Sequence, residues 1–159
     1  MKAYLIRKTE ANSGVGIRES ERGDWVSQNH WMIRIAHVRY GKDVRPDPER
    51  TFSSHCLLAS VDWEGLQEIA PTRLTIDEQQ AFLGQDVVVW ANPDYAAWLS
   101  QPELRLYAAD ATSPIVFALG KGKPTAENTI AVLMPTRGPA LMPEDLRVIH
   151  LLAKRGSLT

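Results

Sequence analysis

The chain has 159 residues, and a domain of that length buries roughly 70% of the surface its unfolded chain exposes, so it folds without disulfide or metal. Hydrophobic residues make up 44% and charged residues 23%, proportions that exclude a disordered segment. One cysteine, Cys56, excludes an internal disulfide and a four-cysteine zinc site, and a net charge of −1 lacks the basic excess of a dedicated nucleic-acid binder.

The charge is unevenly spread. Residues 1–50 carry ten Lys/Arg against seven Asp/Glu, residues 51–100 carry one against seven, and residues 101–159 carry seven against five. The acidic middle is either an ordinary solvated surface or a docking face for a basic partner. The opening residues show no apolar core and no small-residue cleavage site, so no signal peptide is expected, and no apolar run reaches membrane-spanning length. A cytoplasmic location is the default expectation.

In chain order, residues 2–8 (KAYLIRK) alternate as a strand does. Residues 12–24 hold Gly14, Gly16 and Gly23 among charges and read as loop, with a short extended piece around Val15 to Arg18. Residues 30–40 (HWMIRIAHVRY) are rich in β-branched and aromatic side chains and predict one long strand. Residues 41–50, with Pro46 and Pro48, predict an exposed loop. Residues 51–63 (TFSSHCLLASVDW) predict a second long strand, antiparallel to the first.

Thr75 followed by Glu78 fits a capping box, predicting a helix over 76–83 stopped by Gly84. Residues 86–90 (DVVVW) predict a buried strand. Asn92-Pro93 then supplies an N-cap and a first-turn proline for a short helix over 94–100 that presents Tyr95 and Trp98. Strands follow over 104–109, 115–119 and 129–134, with a flexible loop over 120–128. Pro143 opens the last helix, Glu144 and Asp145 lie in its first turn, Lys154 and Arg155 in its last, and Gly156 ends it. Leu146, Val148, Ile149, Leu152 and Ala153 form its apolar half, opposite Arg147 and His150.

Regular β-α alternation is missing, so the expected fold class is α+β. It is a single domain over 1–159, with a mixed or mainly antiparallel sheet of about six to seven strands and two to three helices, the amphipathic C-terminal helix packed on the sheet.

No motif specifies a chemistry. Ser13-Gly14-Val15-Gly16 lacks the third glycine of a dinucleotide fingerprint, whose place Glu19 takes. Gly120-Lys121-Gly122-Lys123 offers Lys121 and Lys123 to a phosphate but lacks Walker spacing, and turn chemistry explains its glycines. Ser53-Ser54-His55-Cys56 groups nucleophiles with an imidazole. Adjacent strand residues face opposite sides, so Ser54 and Cys56 point away from His55. His55 shares its face with Ser53, and His37 on the neighbouring strand of the expected hairpin can approach either face depending on register, for a Cys–His or Ser–His dyad. His30, His37, His55 and His150 have no metal-ligand spacing; no metal and no cofactor are expected.

Five tryptophans stand out. Trp31, Trp63 and Trp90 read as core. Trp25, in a loop near charges, and Trp98, beside Tyr95, are candidate binding residues, because large rigid side chains bury area with few rotors to freeze. Trp31 and Tyr40 with Arg34 and Arg39 offer a stacking platform for nucleic acid through the basic first third, although overall charge disfavours it.

Three readings follow. The first is a non-enzymatic binding domain that recognises a protein or small ligand through an aromatic-rich sheet face or groove. The second is a small metal-independent hydrolase or transferase using His37 and His55 as acid and base, with Ser54 or Cys56. The third is a weak nucleic-acid binder.

Overall fold

A computed structural model of the chain describes residues 1–11, 17–20, 23–52, 58–139 and 141–156. Twelve strands are β1 (Tyr4–Ile6), β2 (Ile17–Ser20), β3 (Trp25–Gln28), β4 (Trp31–Arg34), β5 (Val38–Tyr40), β6 (Pro46–Phe52), β7 (Gln67–Ile76), β8 (Gln79–Leu83), β9 (Val88–Ala91), β10 (Leu104–Ala108), β11 (Ile115–Leu119) and β12 (Thr129–Leu133). Among the described residues, helices α1 (Lys8–Ala11), α2 (Pro93–Leu99) and α3 (Pro143–Lys154) join them. The fold is α+β. Its main sheet has ten strands rather than six or seven, in the order β6-β2-β3-β4-β12-β11-β10-β7-β8-β9, and β1 and β5 form a separate parallel pair. Apart from the parallel β2–β6 contact the large sheet is antiparallel.

The sheet curls. The Thr136 N–H, three residues past β12, donates to the carbonyl of Trp90 in β9 at 2.8 Å. In sheet order β9 lies five strand spacings from β12, about 24 Å across a flat sheet. Three residues reach only about 10 Å, so the strands between must bend round. One apolar cluster accordingly contains Ile33, Leu133, Phe117, Leu104, Ile69, Phe82 and Val89, from every strand between β4 and β9. α2 adds Ala96 and Leu99 to it. The alternate residues of the same strands form smaller clusters on the other face. Trp25, Met32 and Val132 pack with Phe52 and Leu58, and Tyr107, Val116 and Ala118 pack with Val61 and Trp63. Ala81, Val88 and Trp90 pack with Leu141 and with Leu146 of α3, which seats the C-terminal helix on the sheet.

Several expected elements hold. β9 to β12 fall where the residue patterns place them. The Asn92 side-chain Oδ1 accepts from the N–H groups of Asp94 (2.9 Å) and Tyr95 (3.3 Å), capping α2. In α3 the Asp145 carboxylate accepts the Met142 N–H at 3.0 Å, and Gly156 takes the left-handed conformation past the helix end at φ 72°.

Five expectations are corrected. Residues 76–83 are a hairpin, not a helix. Ile76 pairs with Gln79 across a two-residue turn in which Asp77 and Glu78 both have positive φ, 51° and 64°. That geometry matches the twist of the flanking strands, and pairing β8 between β7 and β9 outweighs local helix preference. Gly84 is correspondingly no helix stop; its N–H closes the next turn onto the Val87 carbonyl at 2.9 Å. Glu78→Gly is expected to raise stability by about 0.5–1 kcal/mol. Relief of roughly 1–2 kcal/mol of left-handed strain exceeds the added freedom of the unfolded chain, and urea midpoints measure it.

Second, residues 30–40 are not one strand: β4 ends at Arg34, and a 3-10 turn over Ile35–His37 separates it from β5. Third, Pro46 and Pro48 lie in strand β6 rather than a loop. They are tolerated because β6 is the outermost strand and its register against β2 jumps from Asp47 to Thr51, bulging the residues between. Fourth, the strand expected over 51–63 is not continuous: its described start, Thr51 and Phe52, belongs to β6, and residues 58–60 are not extended. Beyond the undescribed stretch, the Leu58 carbonyl accepts from Val61 N–H (3.3 Å) and Trp63 Nε1 (3.1 Å) in a turn. Fifth, α3 turns Ile149 inward but leaves Val148 exposed (54%), because Ile149, Leu146 and Ala153 centre the contact away from it.

Candidate functional site

The residues singled out in the sequence are scattered. Trp25 is in strand β3, 1% exposed, not in a loop. The Arg34 guanidinium lies 4.5 Å from its ring centroid, and the Arg34 Nε donates to the Thr129 carbonyl at 2.7 Å, with Nη2 on the Ala126 carbonyl. Trp31 is buried too. The stacking platform that needed Trp31 and Arg34 on a free face is therefore not assembled.

Trp31, Trp98 and Tyr4 interlock edge to face, with ring centroids 5.1 Å apart for the tryptophans and 5.8 Å for Tyr4 and Trp98. Every polar tip is engaged. Trp31 Nε1 donates to the Glu10 carbonyl at 3.0 Å, Trp98 Nε1 to the Leu5 carbonyl at 3.2 Å, and the Tyr4 hydroxyl to the Leu99 carbonyl. The cluster ties β1, α1, β4 and α2 together. Tyr95 stacks on His30 at 5.6 Å, and burial raises its phenol pKa.

Glu10, 5% exposed, anchors the same corner. Burial pushes its carboxyl up, but hydrogen bonds and charge from Arg7, with backbone N–H groups, more than offset that and hold it below the ordinary glutamate value. A carboxyl lowered in the folded state contributes stability that is complete above the unfolded pKa of about 4.3 and lost as pH falls through the folded value. Glu10→Gln is thus expected to be less stable than the parent at pH 7. The gap should narrow on acidification into the range below about pH 4, as read by urea unfolding at both pH values; a gap that stays constant would refute the linkage.

His37 is in the 3-10 turn, half-buried. Ser54, His55 and Cys56 lie outside the described residues. Among the described residues β4 pairs with β3 and β12, β5 with β1, and β6 with β2. Lys121 is exposed, and Lys123 is in a salt bridge with Glu64 at 2.6 Å, so the glycine loop is held by an acid rather than arranged round an anion. Among the described residues no group of three or more His, Cys, Asp or Glu is placed to hold a metal ion, and no helix is long and apolar enough to cross a membrane.

A different place has the shape of a site. A groove of about 680 Å³ runs along β9, between that strand, the 109–112 turn, the 135–139 strap and α3. Its floor is Val88, Trp90 and Leu146; Asp86, Asp110 and Arg137 are exposed at its rim. The strap is held by two bonds, Thr136 N–H to the Trp90 carbonyl and the Thr136 hydroxyl to Gln79 Oε1, each about 2.7–2.8 Å. Gly138 permits this course: a Cβ there would stand 2.2 Å from Trp90 Cδ1. Asp110 is ordered by the turn it caps. Backbone N–H of Thr112 foremost, then the Ser113 and Thr112 side chains, hold its carboxyl below the ordinary aspartate value, so it is charged at neutral pH. Sequence reading missed this groove, since its walls come from segments far apart in the chain. The signal within reach was the acidic excess of residues 51–100.

Other hollows lie elsewhere, one of about 630 Å³ between Pro71, Leu83, Gly84 and His150 of α3. In the roughly 700 Å³ groove at the N-terminal end, Gln101 is bonded to both the N–H and carbonyl of Lys2 (2.9 and 2.8 Å), and the terminal amine pairs with Glu103 at 3.6 Å. A smaller cavity of about 230 Å³ lies beside Gln28 and Met134.

The arrangement defines an α+β domain with a curled, mostly antiparallel sheet and a groove at its outer edge. Comparison of the chain with protein-family models, curated proteins and solved structures found no match.

Proposed function

We propose that the chain is a recognition domain whose partner seats in the groove along β9. The observation that carries this reading is the groove itself. It has an apolar floor of Val88, Trp90 and Leu146 with a rim of charged side chains, the usual composition of a binding cleft. Trp25 and Trp31 are buried, Tyr95 and Trp98 are half-buried with Trp98 lining the N-terminal groove, and the β9 edge is preferred because its floor and rim combine apolar and charged groups. The enzymatic reading rests on Ser54, His55 and Cys56, which lie outside the described residues.

The test is amide-resolved NMR of the full chain titrated with a library of small aromatic, amide and guanidinium fragments. Shifts gathered at residues 86–90, 110–112 and 135–139 are the expected result. Shifts gathered beside Gln28 and Met134 or at the N-terminal groove, or none at all, would overturn the assignment.

A further inference from the structure

We infer that the occupant of this groove is an extended segment of a partner protein, bearing basic side chains, that adds to β9 as a further strand. The inference rests on the groove being the binding site. Its first support is the strand register. Gly84 N–H bonds the Val87 carbonyl, and hydrogen-bonded pairs alternate along an antiparallel ladder, so Phe82–Val89 and Gln80–Ala91 are bonded pairs. Val88 and Trp90 therefore turn their backbone N–H and C=O groups away from β8, toward the groove.

β9 ends the sheet, so no strand lies beyond it. Among the described residues one backbone bond reaches this edge, from Thr136 to the Trp90 carbonyl. The Val88 groups and the Trp90 N–H receive no backbone bond from another described segment. An edge of this kind templates an incoming strand, backbone bonds giving affinity and alternate side chains giving specificity.

The second support is charge. Asp86 and Asp110 line the groove against one cation, Arg137, and Asp86 belongs to the cation-poor stretch 51–100. Alternate side chains of an added strand would meet the apolar floor, and the intervening ones the carboxylates, so the segment fitted is apolar at every second position with Lys or Arg between. The strap shows that this edge accepts a backbone partner.

The experiment is selection of a random short-peptide library on the immobilised full chain, followed by binding of the enriched synthetic peptides in solution. Enrichment of Lys and Arg in alternation with apolar residues is expected. N-methylation of the amides that face β9 should weaken binding roughly tenfold, since each removes a backbone bond and leaves its partner unpaired. Asp86→Lys should weaken it several-fold, with less salt dependence than the parent. Val88 and Trp90 amides should gain protection from hydrogen exchange. Enrichment of acidic or uncharged peptides, indifference to N-methylation, no enrichment at all, or self-association of the chain through β9 would each overturn the inference. Should fragments map to the groove while peptides fail, the site stands and the occupant is wrong; if the fragments map elsewhere, both readings fall.

Discussion

Trp31→Ala is expected to lower the unfolding free energy by about 3–5 kcal/mol, the range for removing a large buried aromatic. The residue is 1% exposed, and β4, which it begins, is paired on both sides, with Gln28 of β3 and Leu133 of β12 opposite it. Its ring supports Trp98, whose indole N–H holds the Leu5 carbonyl, so the loss passes to β1 and α2 as well as to the core. A domain's whole stability is about 5–15 kcal/mol, so this one change removes a large share. Trp31→Phe separates the two contributions. It keeps most of the apolar ring but leaves the Glu10 carbonyl without its donor, for an expected loss of about 1–3 kcal/mol. Denaturant unfolding measures both. A loss below about 1 kcal/mol for the alanine variant would show that the cluster is not the clamp described here.

Gly138→Ala is expected to destabilise by about 1–3 kcal/mol, the range for forcing an atom into a packed region. An added Cβ would lie 2.2, 2.6 and 2.8 Å from Trp90 Cδ1, Cγ and Nε1. The indole is buried and packs with Ala81 and Val88, contacts that a retreat would break. The strap must lift instead, breaking the Thr136 bonds to Trp90 and Gln79 and widening the groove. Gly122→Ala is the control. A Cβ there meets nothing within 4 Å and the backbone is not left-handed, so stability should hold or rise slightly. Thermal unfolding would separate them, at about 2–4 °C per kcal/mol for a chain of this size. Equal midpoints for the two variants would mean that the strap does not lie on Trp90.

The apolar floor and open strand edge also bear on association. α3 leaves Val148 and Leu151 exposed, and Met142 at its N-cap is exposed as well, apolar side chains open to association.

What the sequence determined by itself is local. Asn92-Pro93 caps α2 because a side-chain oxygen and a ring-fixed φ act within one turn. Pro143 and Gly156 bound α3 for the same reason, and unbroken runs such as 115–119 and 129–133 are buried strands whatever their neighbours. Tertiary structure decided everything that depends on distant partners. The Asp77–Glu78 turn won over a capping box because β8 gains two strand neighbours, an advantage no local pattern displays. Trp25, flanked by charges in the sequence, is buried because Arg34, opposite it across the β3–β4 pair, lies over its ring. The same is true of the candidate site. Its floor and rim come from 86–90, 109–112, 135–139 and α3, and they meet only because the sheet curls far enough for Thr136 to reach Trp90. Strand pairing is chosen by burial summed over the whole sheet, and that sum does not exist until the chain has closed on itself.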